Sequence, residues 1–349
     1  MIHNLKATVW RIVAGLYVAS GMGWIRHRGR VVILTYHRVV SDHMVRDEHI
    51  QPGMYVRGQS FEAHITYLRK RFTIISLDEL LDLWQTNRLK RDQSYCVITF
   101  DDGWKDNYQF AFPVLMKYRI PATIFLATDF IGTARWFWPD QMMLLLEKGR
   151  QYTTDATDRK AISTIMAETI GVTLSAADGI FRRAESGDPI DLDAIIEFCK
   201  GVEVGRVHQI IDRLSRALHM DLPTHRVLLN WDEVREMAGK GVTFGSHSGS
   251  HRIMTQIPLS AVKMELIDSR KTMLEQGINP VAVFCYPNGN FDRDIQDLVR
   301  ESGYLAAVGC EVGLELDRPN DLFALKRISL HEDSSASMPL LAFTLSGFR

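Results

Sequence analysis

The chain has no excess of either charge. Its 349 residues carry 41 Lys and Arg against 42 Asp and Glu. The basic footprint of a nucleic-acid binder is therefore missing, and nucleic acid is not an expected partner. Cysteine is scarce. Cys96, Cys199, Cys285 and Cys310 form no CxxC pair and no zinc-finger spacing. Three of them sit in apolar runs, as small buried hydrophobes do, and nothing demands an oxidising compartment. Low-complexity tracts are absent, and so is any repeat of 20–50 residues, which sets aside solenoids and propellers. Long uninterrupted apolar runs are absent too. The most apolar stretch, residues 9–25, is broken by Arg11, and the rest of it is short for a bilayer span.

What remains is the composition of a soluble globular protein, 46% hydrophobic and 24% charged. The length suits one large α/β barrel with an insertion, or two ordinary domains. Residues 1–30 read as an amphipathic segment with a basic end, Arg26-His27-Arg28-Gly29-Arg30. It is expected to pack on the body of the protein or to touch a membrane surface peripherally. The expected location is cytoplasmic, at the inner membrane if that contact is made. Export through an N-terminal signal or anchor is the alternative.

Apolar runs at Val31–Tyr36, Tyr95–Phe100, Ala122–Ala127, Val242–Phe244, Val281–Tyr286 and Leu305–Val308 read as buried parallel strands. Helical patterns lie between many of them. Phe61–Phe72 has a stripe of period near 3.6, with Ser60 as its expected N-cap. Leu259–Gln276 and Asp292–Ser302 read the same way. Strand–helix alternation argues for an α/β architecture. Residues 135–225 break the rhythm. Asp140–Gly149, Thr157–Gly171, Ser175–Ser186 and Asp191–Leu218 are helical by pattern, and the stretch reads as a helical insertion. The remaining residues, 336–349, read as a C-terminal tail.

Two motifs follow strands and carry chemistry. Thr99-Phe100-Asp101-Asp102-Gly103 puts adjacent carboxylates at a strand end, where barrel enzymes place reactive groups. Two such neighbours do not both stay ionised without a cation, so one can serve a metal and the other a proton. Alone, the pair is also an ordinary Asp-Gly turn. His247-Ser248-Gly249-Ser250-His251 spaces two imidazoles four residues apart. That suits two ligands on one side of a divalent ion, although two loop histidines can fall so by chance. A carboxylate with two histidines makes a facial triad with open positions. A third run, Phe284-Cys285-Tyr286-Pro287-Asn288-Gly289, ends a strand in a turn able to aim a backbone N–H at an oxyanion.

Together these residues resemble the polysaccharide deacetylases of the NodB-homology superfamily, carbohydrate esterase family 4. TFDDG matches the first motif, HSGSH the second, and FCYPNG occupies the third. Leu34–Val39, Phe61–Leu80, Asn230–Gly241 and Phe323–Ser329 add support. The resemblance covers roughly 31–134 and 226–335 and is nearest to the exopolysaccharide-biosynthesis branch. It implies a distorted (β/α) barrel and hydrolysis of N-acetyl groups on an N-acetylated glycan or lipid-linked saccharide. By the same resemblance Asp101 is the base. Asp102, His247 and His251 hold a divalent metal, with Zn2+ the default and Co2+, Ni2+, Mn2+ and Fe2+ the alternatives. The backbone N–H of Asn288 holds the oxyanion. His37 is a candidate for the pocket or for the general acid. Tyr286, Pro287 and Trp138 are candidate substrate contacts, with Trp136, Phe137 and Trp231 as further aromatic candidates.

The chain departs from the family in the third motif. Cys285 stands where an Arg usually orients the base, and Arg327 is the expected replacement. His331 only superficially resembles a late-motif histidine. Two other readings stay open: an O-acetyl esterase or other amide hydrolase on this fold, and a glycan-binding protein with weakened turnover.

Overall fold

In a computed structural model, described for residues 2–21, 26–48, 50–51, 53–152, 164–165, 168 and 192–347, the chain divides into two compact units. One comprises Met1–His43, Pro52–Thr133 and Arg226–Arg349; the other comprises Met44–Gln51 and Ala134–His225.

The first unit is built on strands β1 (Val31–Tyr36), β2 (Arg38–Val40), β3 (Tyr55–Arg57), β4 (Thr73–Ile74), β5 (Tyr95–Phe100), β6 (Ala122–Leu126), β7 (Val242–Ser246), β8 (Val283–Cys285), β9 (Ala306–Val312) and β10 (Leu325–Ser329). All residues of β1, β5 and β6 are buried, which only a sheet covered on both faces achieves. The main sheet runs β1-β10-β9-β8-β7-β6-β5, all parallel, and β1 pairs again with β5 to close it. The result is the expected (β/α) barrel, of seven strands. β4 is added on the outside of β5, and β2 pairs with β3 separately.

Side-chain alternation sorts the barrel's residues into layers. Val31 and Ile33, Tyr95 and Val97, Val283 and Cys285, Ala306 and Val308, and Leu325 join one core cluster. Leu77, Leu80, Leu81 and Trp84 of helix Leu77–Gln85 belong to the same cluster. Each buried Val, Leu or Ile of this cluster contributes about 1.5–3 kcal/mol. One step further along the same strands, the series continues with Thr35, Thr99, Asp101 and Arg327, so polar groups follow an apolar layer.

α1 is Ile2–Ala19, α2 is Gly58–Leu68, α3 is Leu259–Glu275 and α4 is Met338–Thr344. Ser60 does not cap α2. It lies inside the first turn, and its hydroxyl donates to Glu332 instead. Helix Arg293–Glu301 does take its expected start, because the Asp292 carboxylate accepts from Ile295 N. Residues 338–344 of the expected tail are helical, and Phe343 of α4 packs with Ala14 and Tyr17 of α1.

The second unit contains helices Trp138–Tyr152, Leu192–Lys200 and Val204–Ala217 around a core of Met142, Leu145, Ile196, Ile210 and Leu214. The single helix expected over 191–218 is two. It breaks at Gly201, where Glu203 caps the second segment by accepting from Gly205 N and Arg206 N. The helices expected at 157–171 and 175–186 lie almost wholly outside the described residues.

Candidate active site

β5 delivers Asp101 and Asp102 at its C-terminal end, and both are nearly fully buried. Their neighbour Gly103 has φ +80, and a Cβ there would lie 2.7 Å from Leu126 Cδ2. Only glycine allows the chain to turn this tightly against β6. The two carboxylates then face different partners.

Asp101 meets Arg327, delivered by β10. Arg327 Nη1 donates to Oδ1 at 2.8 Å and Nη2 to Oδ2 at 2.7 Å, a bidentate pair. The guanidinium is 1% exposed and is fixed from behind, with Nε donating to Gly309 O and Nη1 to Thr35 Oγ1. Its Nη2 also lies 3.4 Å from Cys285 Sγ. Arg327, and no residue of β8, is thus the arginine that contacts Asp101, as expected from Cys285 in the third motif. Burial pushes the Asp101 carboxyl up, but the charge and hydrogen bonds of Arg327 override it and hold it at about 2. Asp101 is a carboxylate at any ordinary pH.

Asp102 meets the two histidines. Its Oδ1 lies 3.4 Å from His247 Nε2 and 3.2 Å from His251 Nε2. Its Oδ2 accepts from Trp104 Nε1 at 2.9 Å. His247 Nδ1 donates to the Cys285 carbonyl at 2.8 Å, which turns Nε2 toward Asp102. Burial opposes charge on Asp102, yet hydrogen bonds from both histidines hold it well below the ordinary carboxylate range. Burial also pushes His251 down, toward the neutral form that ligates.

The loop between the histidines is held by α3. Glu265 Oε2 accepts from Gly249 N and Ser250 N, each at 2.8 Å, and Oε1 accepts from Ser250 Oγ. A Cβ at Gly249 would sit 3.1 Å from that carboxylate. Ser248 Oγ accepts from His251 N at 3.0 Å. Left-handed backbone concentrates here. Of seven described non-glycine residues with positive φ, four are Asp102, Ser248, His251 and Asn288. Such conformations are costly and persist where surroundings enforce them, commonly at functional sites.

The donor set fits a divalent cation. Asp102, His247 and His251 each offer one ligand atom within 4.8 Å of the others. The 3.4 and 3.2 Å from Asp102 Oδ1 to the two Nε2 atoms are separations that ligands about 2.0–2.2 Å from one shared ion would have. A second group, Asp101, His247 and Cys285, is equally close. It fits less well, because Arg327 already neutralises Asp101 and presents a cation toward the sulfur.

The remaining sequence candidates divide. His37 follows β1 and is half-buried. Asn288 is exposed, in a turn whose next two N–H groups donate to Tyr286 and Pro287 carbonyls. Tyr286 is a correction. It is fully buried, stacks on Phe291 and donates its hydroxyl to Phe323 O, so it is core and not a substrate contact. Pro287 is buried beside it. Trp138 packs on the core of the second unit, which explains it without a sugar, and Trp136 donates to His225 O. Phe137 is buried, and Trp231 opens helix Trp231–Ala238 half-buried. His331 precedes helix Glu332–Ser335, where its backbone carbonyl accepts from Ser334 N, and Arg327 is the partner of Asp101.

Sequence reading missed Trp104 and Glu265. Trp104 directly follows the first motif, and this adjacency was a signal. Glu265 lies mid-helix, and only the fold brings it to the loop.

The family model described as polysaccharide deacetylase matches residues 88–190 and 210–307, more than half of the chain. A Bacillus subtilis protein provisionally named polysaccharide deacetylase YxkH is 33% identical over 128 residues, 36% of this chain and 43% of that protein. The poly-beta-1,6-N-acetyl-D-glucosamine N-deacetylase of Staphylococcus epidermidis is 34% identical over 82 residues, 23% of this chain and 28% of that protein. The chain thus spans less than half the length of the curated relatives it matches. Among solved structures, the deacetylase PplD of Streptococcus pyogenes in complex with acetate aligns with TM-score 0.56 at 17% identity, over 90% of this chain and 98% of that one. IcaB from Ammonifex degensii aligns with TM-score 0.55 at 16% identity, over 91% and 97%. These two likenesses speak to the barrel alone. With the family model matched across both metal-type motifs, the chain belongs to the polysaccharide deacetylase family.

Proposed function

We propose that this chain hydrolyses N-acetyl groups of an N-acetylhexosamine-containing glycan or lipid-linked saccharide in polysaccharide biosynthesis. One observation carries the reading: a carboxylate clamped by an arginine stands next to an Asp-His-His cluster at the mouth of a barrel. The substrate class is supported by the relative whose name is poly-beta-1,6-N-acetyl-D-glucosamine N-deacetylase.

Asp102, His247 and His251 would hold the divalent ion, zinc by ligand type. Such an ion polarises an acetamide carbonyl and acidifies water. Asp101 takes the proton as water oxygen bonds to the carbonyl carbon, and Arg327 keeps that carboxylate ionised and oriented. The Asn288 N–H faces the developing oxyanion. When the C–N bond breaks, acetate leaves and the amine needs a proton. We assign that role to His37, half-buried at the end of β1.

The test pairs two measurements on the purified chain, metal content and acetate release from N-acetylglucosamine oligomers. About one divalent ion per chain is expected, lost in His251→Ala. Asp101→Asn is expected to keep the ion and lose turnover by about 10²–10⁴-fold. No ion after zinc or cobalt addition would overturn the metal site. Retained turnover in Asp101→Asn would remove it as base.

A further inference from the structure

We infer that α1 and the basic end of α2 form a docking surface for an anionic lipid bilayer. α1 has two apolar faces. One is seated on α4, where Ala14 and Tyr17 are buried against Leu340 and Phe343, and the rings of Trp10 and Tyr17 lie 5.7 and 5.5 Å from Phe343. The other face is open. Ile12 is 60% exposed and Leu16, one turn further on, 66%, with Val13 at their edge at 38%; Val18, 46% exposed, lies off this face beside Tyr17. A surface helix ordinarily turns polar residues outward, and a contiguous apolar strip marks an interaction surface.

Charge selects the occupant. Residues 1–41 contain no Asp or Glu, while Lys6, Arg11, Arg26, Arg28 and Arg30 lie within the first 30. A second cationic run, Arg69-Lys70-Arg71, follows α2 and is exposed. Arg71 and Tyr67 line the same cavity as Tyr17, Val18 and His27, so this run adjoins the end of α1. Arg71 also stacks over Tyr67 at 4.5 Å. An apolar strip on a segment whose sequence holds basic residues and no acid, with the exposed 69–71 run near its end, matches acyl chains beneath anionic headgroups. Among the described residues no helix is long and apolar enough to cross a membrane, so α1 lies on the surface.

The orientation follows from topology. The cavity is also lined by Ser94, just before β5, whereas the aspartates follow the other end of that strand. Docking by α1 therefore leaves the barrel mouth turned toward water, and a glycan reaches the site from the aqueous side.

The experiment is co-sedimentation of the full chain with phosphatidylcholine vesicles, with and without phosphatidylglycerol. The wild-type chain is expected to partition onto the phosphatidylglycerol vesicles. Ile12→Ser/Leu16→Ser and Lys70→Glu/Arg71→Glu are each expected to weaken that partition about tenfold or more, with melting midpoints unchanged because the side chains are exposed. Asp101→Asn is expected to bind like wild type, which separates this surface from the deacetylase reading. Absence of binding to either vesicle, or equal binding by the variants, would overturn the proposal. So would a dimer in sedimentation velocity that Ile12→Ser/Leu16→Ser dissociates, because the strip would then belong to a second copy.

Discussion

The buried ion pair between Asp101 and Arg327 joins a residue at the end of β5 to one on β10. The family resemblance leads one to expect an arginine at the position of Cys285, on β8; here the arginine that meets Asp101 comes from β10, and Cys285 Sγ lies 3.4 Å from its Nη2. The space beside Asp101 holds one guanidinium. Cys285→Arg in the wild-type background therefore sets two cations against one carboxylate and is expected to destabilise the fold. Arg327→Met leaves a buried carboxylate unpaired and should cost about 3–5 kcal/mol. The double variant Cys285→Arg/Arg327→Met moves the arginine to the family's usual place and should recover part of that loss. Urea unfolding of the three variants checks the claim. A double variant that shows the simple sum of the two losses would show that the cavity does not accept the arginine from β8. Arg327 was legible in the sequence because Cys285 left a vacancy in a known pattern. Tyr286 was misread because the same motif that places the turn also places a core aromatic, and spacing does not reveal which way a ring points.

Between elements, two contacts far apart in sequence hold the site and the rim in register. Glu265 on α3 ties the 247–251 loop through two backbone N–H groups. Glu265→Ala removes both acceptors without touching a proposed ligand. Ion affinity is expected to fall about 10–100-fold, as for other groups that orient ligands, and chelator competition reads it. Unchanged affinity would mean that the left-handed loop holds itself. The second contact joins α2 to the 331–335 segment. His64 is fully buried, its Nε2 donates to Ser335 O, and Nδ1 faces the Tyr36 hydroxyl. Burial pushes its pKa down to about 4 despite the Ser335 hydrogen bond. The unfolded chain titrates near 6.5. The depressed value means the neutral form stabilises the fold fully above pH about 6.5, and this is lost as pH falls through about 4, roughly 3 kcal/mol in all. His64→Gln should flatten unfolding free energy over that window. An unaltered slope would assign the acid sensitivity elsewhere. Strands were the most legible elements, because full burial on both faces writes continuous apolar runs. Helix ends were less so. Ser60 looked like a cap by residue type but was taken by Glu332, 272 residues away.

At the scale of the molecule, the barrel closes only because β1 pairs with both β10 and β5. First and last strands thus complete one site, since Arg327 reaches Thr35 of β1 and Asp101 after β5. Such closure is invisible to local pattern, and β10 was found only through family likeness. The 135–225 insertion, by contrast, announced itself by the loss of strand pattern. Its separation of Asp102 from His247 by more than a hundred residues carries little penalty if the barrel fixes both ends of the excursion. The first unit shows that it does. Gly132 N donates to Leu229 O at 2.8 Å, Leu229 N to Gly103 O at 2.8 Å, and Lys105 N to Val227 O at 2.9 Å. The chain therefore leaves and re-enters the barrel as hydrogen-bonded neighbours, next to the first motif. Loop-closure entropy rises only slowly with length, so a short Gly/Ser linker in place of residues 136–224 should serve the barrel as well. The shortened chain is expected to melt cooperatively and to bind about one divalent ion, as the full chain does. Circular dichroism and elemental analysis read the two properties separately. Loss of both would show that the barrel draws its stability from the insertion. Loss of the ion in a folded barrel would show instead that the hydrogen-bonded neck, although it joins the right residues, does not by itself hold Asp102 against the two histidines.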